Sequence, residues 1–580
     1  MFDSSWRLLI FSPIKLFLLS IYFLSIFNQS TAAVLAQSKD RLPEDADVSE
    51  TQVSKIAEIQ IFCSTILDIE NVRQILPEFK IDRRSRKQKP TKTKSDRSSL
   101  LTSCPQQVII IRSSKEEILT EKSKQHIIRQ ITKLYIDKGY INSRPIPLDS
   151  TKNNIAKIII DEGKVDVVVE GTKRLKKYVR SRIELATNPL NTKKLEDQLR
   201  LLKNDPLFKN IEATLQPGEQ TDRTQLKVRV TEARPIAGGI NFDNYSPPSV
   251  GGERLGLGLA YRNLAGLGDE IAVAYNPRLD NFSTYNLDFS YRIPINAMNG
   301  TISLQTSINR NQVIQGDFAA LDIEGESERY AIDYRQPLTR NPREEFALSV
   351  GFDYQNGQTF TFQSPTPFGF GPDEDGISRT SVLSFGTEYT KRDMAGAWGW
   401  RNKLRWGVGI FDATDNESPT PDGKFVSFLT QLQRLQVVSK SNFFILQGDL
   451  QITPNTLLPS EQFSIGGGQS VRGYRQNIRA GDNGIRFSLE DRQTLVSNSR
   501  GDAVFVFAPF VDLGFVWQIS KNPNTIPDKQ FIAGAGLGLL LQPMKGLNLR
   551  LDYGVPIIDL EDKGDDIQDD GLYFTAGYSF

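Results

Sequence analysis

The sequence predicts two small α+β modules, each of β-α-α-β-β order, followed by a transmembrane antiparallel β-barrel of about sixteen strands. Three observations carry this. An export-type segment opens the chain, a mixed helix and strand pattern repeats between residues 56 and 232, and an apolar-polar alternation runs from 236 to 580. Connections of alternately short and long length divide that last stretch.

At the N-terminus, Arg7 and Lys15 precede the apolar run Leu16 to Phe27, and compact residues Val34 and Ala36 follow at the spacing of a cleavage site. Residues 1–36 therefore read as a secretory signal peptide, since the apolar run is shorter than the ~20 residues a retained helical anchor needs. Residues 37–55 are polar, contain Pro43, and read as a linker. The first module occupies 56–163. Ile56-Ala57-Glu58-Ile59-Gln60-Ile61 alternates as a half-buried strand does, and Ile66 to Phe79 can carry a short helix. Lys124 to Lys138 places Ile127, Ile128, Ile131, Leu134 and Tyr135 at helical spacing, with Gly139 where a helix stops. Strands follow at Ile141–Pro147 and Ile155–Ile160. Within this module residues 82–105 are rich in Arg, Lys, Ser and Thr and read as an exposed insertion. Its basic run Arg83-Arg84-Ser85-Arg86-Lys87 is a solvated loop, or a contact for an acidic partner or lipid headgroups.

The second module, 164–232, repeats the pattern: strand Val165–Val169, helices Leu175–Leu185 and Thr192–Lys203, strands Ile211–Leu215 and Gln225–Val230. The only two cysteines are Cys63, expected in the first strand, and Cys104, at the end of the insertion. An exported chain meets an oxidising compartment, so these two are candidates for one disulfide.

Composition narrows the chemistry. With 580 residues, 70 Lys+Arg against 69 Asp+Glu and a net charge of +1, no basic excess points to nucleic acid. Hydrophobic residues make up 39% and mean hydropathy is −0.35, which excludes a bundle of spanning helices. Two cysteines without a CxxC and a single histidine, His126, argue against a structural zinc or iron–sulfur site, and no metal or cofactor is expected. A Ser-His-Asp or Cys-His enzyme would rest wholly on His126, which reads as a partly exposed helix residue, and no catalytic residues are expected.

From 236 to 580 the chain falls into segments such as Leu255 to Tyr261, Tyr285 to Tyr291, Thr301 to Ser307 and Asn548 to Tyr553. A barrel strand crosses a bilayer in ~9–11 residues with one row facing lipid and one facing the lumen, which is this period-2 pattern. Short connections at 265–268, 296–300, 439–441 and 543–546 alternate with long ones at 311–325, 363–376, 412–423, 521–529 and 559–571. Outer-membrane barrels place short turns in the periplasm and long loops outside. A soluble all-β enzyme has no reason for the alternation. Gly256/Gly258 and Gly534/Gly536/Gly538 lack the βαβ context of a dinucleotide fingerprint and read as small wall residues.

Several segments resemble known families. Ile160-Asp161-Glu162-Gly163 at the hand-off between modules, and Leu134 to Tyr140 in the first, resemble POTRA domains. The longest connection, residues 454–484, contains Ile465-Gly466-Gly467-Gly468-Gln469-Ser470-Val471-Arg472-Gly473-Tyr474. Its Val471-Arg472-Gly473-Tyr474 resembles the loop-tip signature of polypeptide-transporting barrels of the outer-membrane assembly-factor superfamily. Two POTRA modules look like the two-partner secretion branch, the transporters of hemolysins and filamentous adhesins. The resemblance implies that the loop folds into the lumen and that Arg472 pairs with Asp512 of Phe510-Val511-Asp512-Leu513-Gly514 on the wall, a motif of Phe510, Asp512 and Gly514. It also implies an unfolded exoprotein client bound by the POTRA modules and secreted without nucleotide hydrolysis. The terminal aromatics Phe574, Tyr578 and Phe580 resemble the signal by which barrel-assembly machinery recognises its substrates. Lipid of the outer membrane, with the modules in the periplasm, completes the expected surroundings.

Two departures from the family stand out: 37–55 has no apolar stripe for a plug helix, and the insertion is unusual for a first POTRA module. Two other readings stay open at this point. One is a barrel-assembly insertase of the same superfamily, against which the count of two modules argues. The other is a passive porin or adhesin, in which Arg472 and Asp512 would be incidental.

Overall fold

A computed structural model describes residues 56–85, 107–113, 119–148, 154–163, 165–218, 224–279, 282–314, 316–520, 522–526 and 530–580. The expected signal peptide and linker, most of the basic insertion, and Cys104 lie outside the described residues. The chain forms two compact units divided between Glu232 and Ala233.

The first unit begins with strand β1 (Glu58–Phe62), helix α1 (Ile69–Ile75), strands β2 (Phe79–Ser85) and β3 (Gln107–Ser113), helix α2 (Glu121–Asp137), and strands β4 (Arg144–Leu148) and β5 (Ile155–Asp161). They make one sheet of order β2-β3-β1-β5-β4, with β1 and β5 parallel. Alternation in β1 sends Ile59 and Ile61 inward, where they meet Ile127, Ile131 and Tyr135 from one face of α2. Thr120 caps α2 by accepting from the Ser123 amide. Two expectations need correction here. Residues 82–85 are the end of strand β2 rather than part of a loop, and β3 pairs with them. β2 is a sheet edge whose inward residues are Phe79 and Ile81, while Asp82 and Arg83 face water, so its charge hides its strand character. Cys63 lies one residue beyond β1 rather than within it, and it is disulfide-bonded.

The second module has β6 (Val165–Glu170), α3 (Lys176–Glu184), α4 (Thr192–Lys203), β7 (Phe208–Pro217) and β8 (Thr224–Glu232). Its sheet order is β6-β8-β7, with β6 and β8 parallel. Leu195 and Leu202 turn inward from α4 onto Val228 and Ile211. The Asn191 side chain caps α4 through the Lys194 amide at 3.0 Å and also donates to the Lys138 carbonyl at 2.9 Å, fastening one module to the other.

The second unit is a closed antiparallel barrel of sixteen strands. They are β9 (Ile236–Asp243), β10 (Arg254–Arg262), β11 (Glu270–Pro277), β12 (Tyr285–Pro294), β13 (Thr301–Gln312), β14 (Ile323–Arg340), β15 (Glu344–Thr361) and β16 (Ile377–Asp393). The circuit continues with β17 (Gly396–Gly407), β18 (Val426–Val437), β19 (Asn442–Ile452), β20 (Asn483–Ser497), β21 (Ala503–Trp517), β22 (Phe531–Met544), β23 (Leu547–Pro556) and β24 (Leu572–Ser579). β24 closes onto β9 through Thr575 opposite Asp243 and Ser579 opposite Gly239. Leu257, Leu259, Phe289, Trp400, Leu537 and Leu539 stand exposed on the outer face, while residues of the other parity, such as Ser488, Glu490, Asp512 and Asp552, are buried within. An exposed apolar band over a polar interior is the barrel's adaptation to lipid. The alternation of connections is present: two residues join β22 to β23 and two join β16 to β17, whereas residues 453–482 separate β19 from β20.

Candidate functional site: a loop bound to the lumen wall

The segment 453–482 leaves β19 on the long-loop side and returns to β20 after a small hairpin pairing Phe463–Ile465 with Arg479–Gly481. Apolar residues bring it inward: Phe463, Ile465, Val471 and Tyr474 form a buried cluster with Val516 of β21 and Ile532 of β22. Backbone freedom then shapes the tip. Gly473 takes φ +102° directly against Val555 and Pro556 of β23, a position no side chain could share.

Arg472 is thereby delivered to the wall. Its Nε donates to Asp512 Oδ2 at 2.6 Å, Nη2 to Asp512 Oδ1 at 3.0 Å, and its own amide to Oδ2 at 3.2 Å. Nη1 donates to Glu490 Oε2 at 2.8 Å, and the guanidinium lies over the Phe510 ring, 3.3 Å from its centroid. A planar fork with donors on several edges suits a site that must satisfy two carboxylates and a ring at once. The carboxylates are themselves held: Ser488 Oγ donates to Asp512 at 2.6 Å, and Arg492 and Arg550 each reach Glu490 at 2.7 Å. Arg550 also donates to Asp552 at 2.6 Å. Three guanidiniums thus meet three carboxylates, and the buried group is neutral in sum, as a charge cluster out of water requires.

The rest of the tip is tied by neutral hydrogen bonds. The Gly473 amide donates to Tyr573 Oη at 2.9 Å, whose hydroxyl donates to the Tyr474 carbonyl at 2.6 Å. Tyr474 Oη in turn donates to the Ala533 carbonyl at 2.7 Å. Further out, Arg475 pairs with Asp569 and Arg479 with Asp562 of the connection 557–571, at 2.5 and 2.6 Å. Hydrogen bonding from Arg479 holds the Asp562 carboxyl below the ordinary carboxylate range. That tie contributes at neutral pH and is lost only as acid reaches the depressed value.

The structure therefore brings Val471, Arg472, Gly473 and Tyr474 together with Phe510, Asp512 and Gly514, whose missing side chain leaves room for Ile465 and Val471. It places Phe574, Tyr578 and Phe580 elsewhere, on the outward parity of the closing strand. Phe574 packs 5.0 Å from Phe242 of β9, and Phe580 exchanges backbone hydrogen bonds with Gly238 at 3.0 and 3.3 Å. Sequence reasoning missed Glu490, Arg492, Arg550, Asp552 and Tyr573. The signal was present: Glu490/Arg492 and Arg550/Asp552 are charged pairs two apart, and hence on one face, inside strands that must cross a bilayer.

One expected result arises directly. A Cβ at Gly534 would overlap the Arg472 carbonyl oxygen. Gly534→Ala should therefore push the tip off β22 while leaving every charged partner intact, and protease cleavage in 466–480 of the folded protein should accelerate at least tenfold, as expected for loss of about 1.4 kcal/mol of local protection.

A family model described as haemolysin secretion/activation protein ShlB/FhaC/HecB matches residues 222–541. The outer membrane transporter CdiB of Dickeya dadantii (strain 3937) is 22% identical over 445 residues, covering 74% of this chain and 76% of that protein. The heme/hemopexin transporter protein HuxB of Haemophilus influenzae (strain 86-028NP) is 22% identical over 430 residues, covering 69% and 70%. Among solved structures, CdiB from Escherichia coli superposes with a TM-score of 0.65 at 17% identity, covering 96% of this chain and 98% of that one.

Proposed function

The chain belongs to the haemolysin secretion/activation protein family ShlB/FhaC/HecB, and from that premise we infer that it secretes an unfolded exoprotein through its barrel, taking the client from the periplasm by its POTRA modules. It is an outer-membrane transport protein with its POTRA modules on the periplasmic side. The observation that carries the finer reading is the loop itself, a long connection folded inward and fixed by Arg472 to Asp512 and Glu490 in the lumen. A passive pore has no use for a charge-balanced cluster holding a strap to its lumen wall. A gate does, because such a cluster is discrete and can be exchanged for a second state.

The client would reach the lumen in extended form. Sheet edges such as β2 and β7 offer backbone groups that pair with any sequence, which suits recognition of an unfolded chain. Transport then proceeds without nucleotide hydrolysis, with folding of the client outside preventing its return. The barrel's own insertion would use barrel-assembly machinery reading Phe574, Tyr578 and Phe580.

Quantitative proteomics of the medium and outer membrane, with and without this protein, tests the reading. Loss of one or two large exoproteins with other barrels unchanged is expected. A general fall of outer-membrane barrels would replace it with an assembly insertase.

A further inference from the structure

Charged side chains fasten the lumen loop to barrel strands at two places, and only one of them is the Arg472 cluster. On the outgoing leg, Glu461 is buried with its side chain 3% exposed. Its Oε2 takes an ion pair and hydrogen bond from Arg405 Nη1 of β17, and its Oε1 accepts from Thr380 Oγ1 of β16 at 3.1 Å. Arg405 lies beside the Phe425 ring, 5.7 Å from its centroid. The backbone of the same leg is also fastened. Gln451 Nε2 donates to the Glu461 carbonyl at 3.0 Å and to the Asp482 carbonyl at 3.1 Å, and the Leu457 amide donates to Asp482 Oδ1 at 2.9 Å. Leu457 itself packs against Val382 of β16 and Phe425.

The second attachment stands apart from the first. Glu461 is fixed to β16 and β17, Arg472 to β20 and β21, and β18 and β19 separate them around the wall. No charged residue is shared between the two sets of contacts. A loop held at its tip alone could swing on its base; held also by Glu461, it spans an arc of the lumen.

We propose that Glu461, with Arg405 and Thr380, is a second latch of the loop on the barrel wall, so that the lumen opens fully only when both wall attachments let go. Glu461 is a positioning residue: it acts by where it keeps the strap. The inference rests on the gate reading above, and deepens it by requiring two events for opening.

Ion conductance of the purified full chain in planar lipid bilayers is the test, because it reads the strap without any client. Glu461→Ala and Arg405→Ala should each raise the time spent in open states about tenfold, since each strands a buried charge and frees the leg. Thr380→Val, which removes one donor and strands no charge, should raise it by a smaller factor. The exchange Glu461→Arg with Arg405→Glu should return the channel toward the closed behaviour of the native protein. Glu461→Ala combined with Arg472→Ala should open the pore further than either alone. Native conductance in Thr380→Val and both alanine variants overturns the latch, as does a failure of the exchange to restore closure in a barrel that still resists detergent. Either failure leaves the secretion reading standing, because that reading is tested by export of the client.

Discussion

Arg472→Ala should abolish secretion of the client while the barrel still assembles. The guanidinium meets Asp512 and Glu490 with three hydrogen bonds, and the backbone amide of the same residue adds a fourth to Asp512. Its removal leaves two carboxylates facing each other with fewer cations, and breaking a buried pair in this way costs about 3–5 kcal/mol. The wall can relieve part of that by admitting water, but no other residue of Val471 to Tyr474 carries a charge with which the tip can find its register. Arg472→Lys should recover little. A single ammonium cannot make the bidentate contact with Asp512, reach Glu490 and lie flat on Phe510 at once, and the fork geometry is what the site is built around. The measurement is the amount of client in the medium against the amount of heat-modifiable barrel in the outer membrane. Unchanged secretion at normal barrel levels would sink the role given to the loop.

Why Arg472 and Asp512 could be read from sequence, while their neighbours could not, follows from the kind of signal each leaves. Val471 to Tyr474 and Phe510 to Gly514 are contiguous and carry a resemblance, so they can be paired without coordinates. Glu490, Arg550 and Asp552 are scattered over strands β20 and β23, and only closure of the barrel makes them adjacent. The barrel itself was legible because lipid imposes period 2 and the two aqueous sides impose different loop lengths. The first module was less so. The edge strand β2 carries exposed Asp82 and Arg83 on its two faces just past Ile81, and a strand that breaks its apolar alternation with consecutive charges, and whose partner β3 lies beyond an intervening insertion, looks like a loop. Glu461 offered no motif at all: its meaning comes from Arg405 and Thr380, more than fifty residues earlier in the chain.

Glu490 should prove the second most sensitive position, and in a different way. Three arginines converge on its carboxylate: Arg472 from the loop, Arg492 from its own strand and Arg550 from β23. With Glu490→Ala the cluster passes from neutral to one excess positive charge in a buried setting, and two of the stranded cations belong to the wall itself. Arg472→Ala strands only carboxylates that keep Ser488, Arg492 and Arg550 as partners. Glu490→Ala should therefore lower the temperature at which the folded barrel converts to its unfolded form, as well as release the loop. Glu490→Gln keeps the acceptor and the shape while losing the charge, so it should fall between the two. Combining Glu490→Ala with Arg472→Ala discriminates a shared cluster from independent contacts. Removing one cation together with the anion restores the charge balance, so the double variant should melt no lower than Glu490→Ala alone, a coupling of at least 0.5 kcal/mol on the usual scale for directly bonded residues. Fully additive losses would mean that the loop and the wall are stabilised separately, and that the tip is held by Asp512 without help from Glu490.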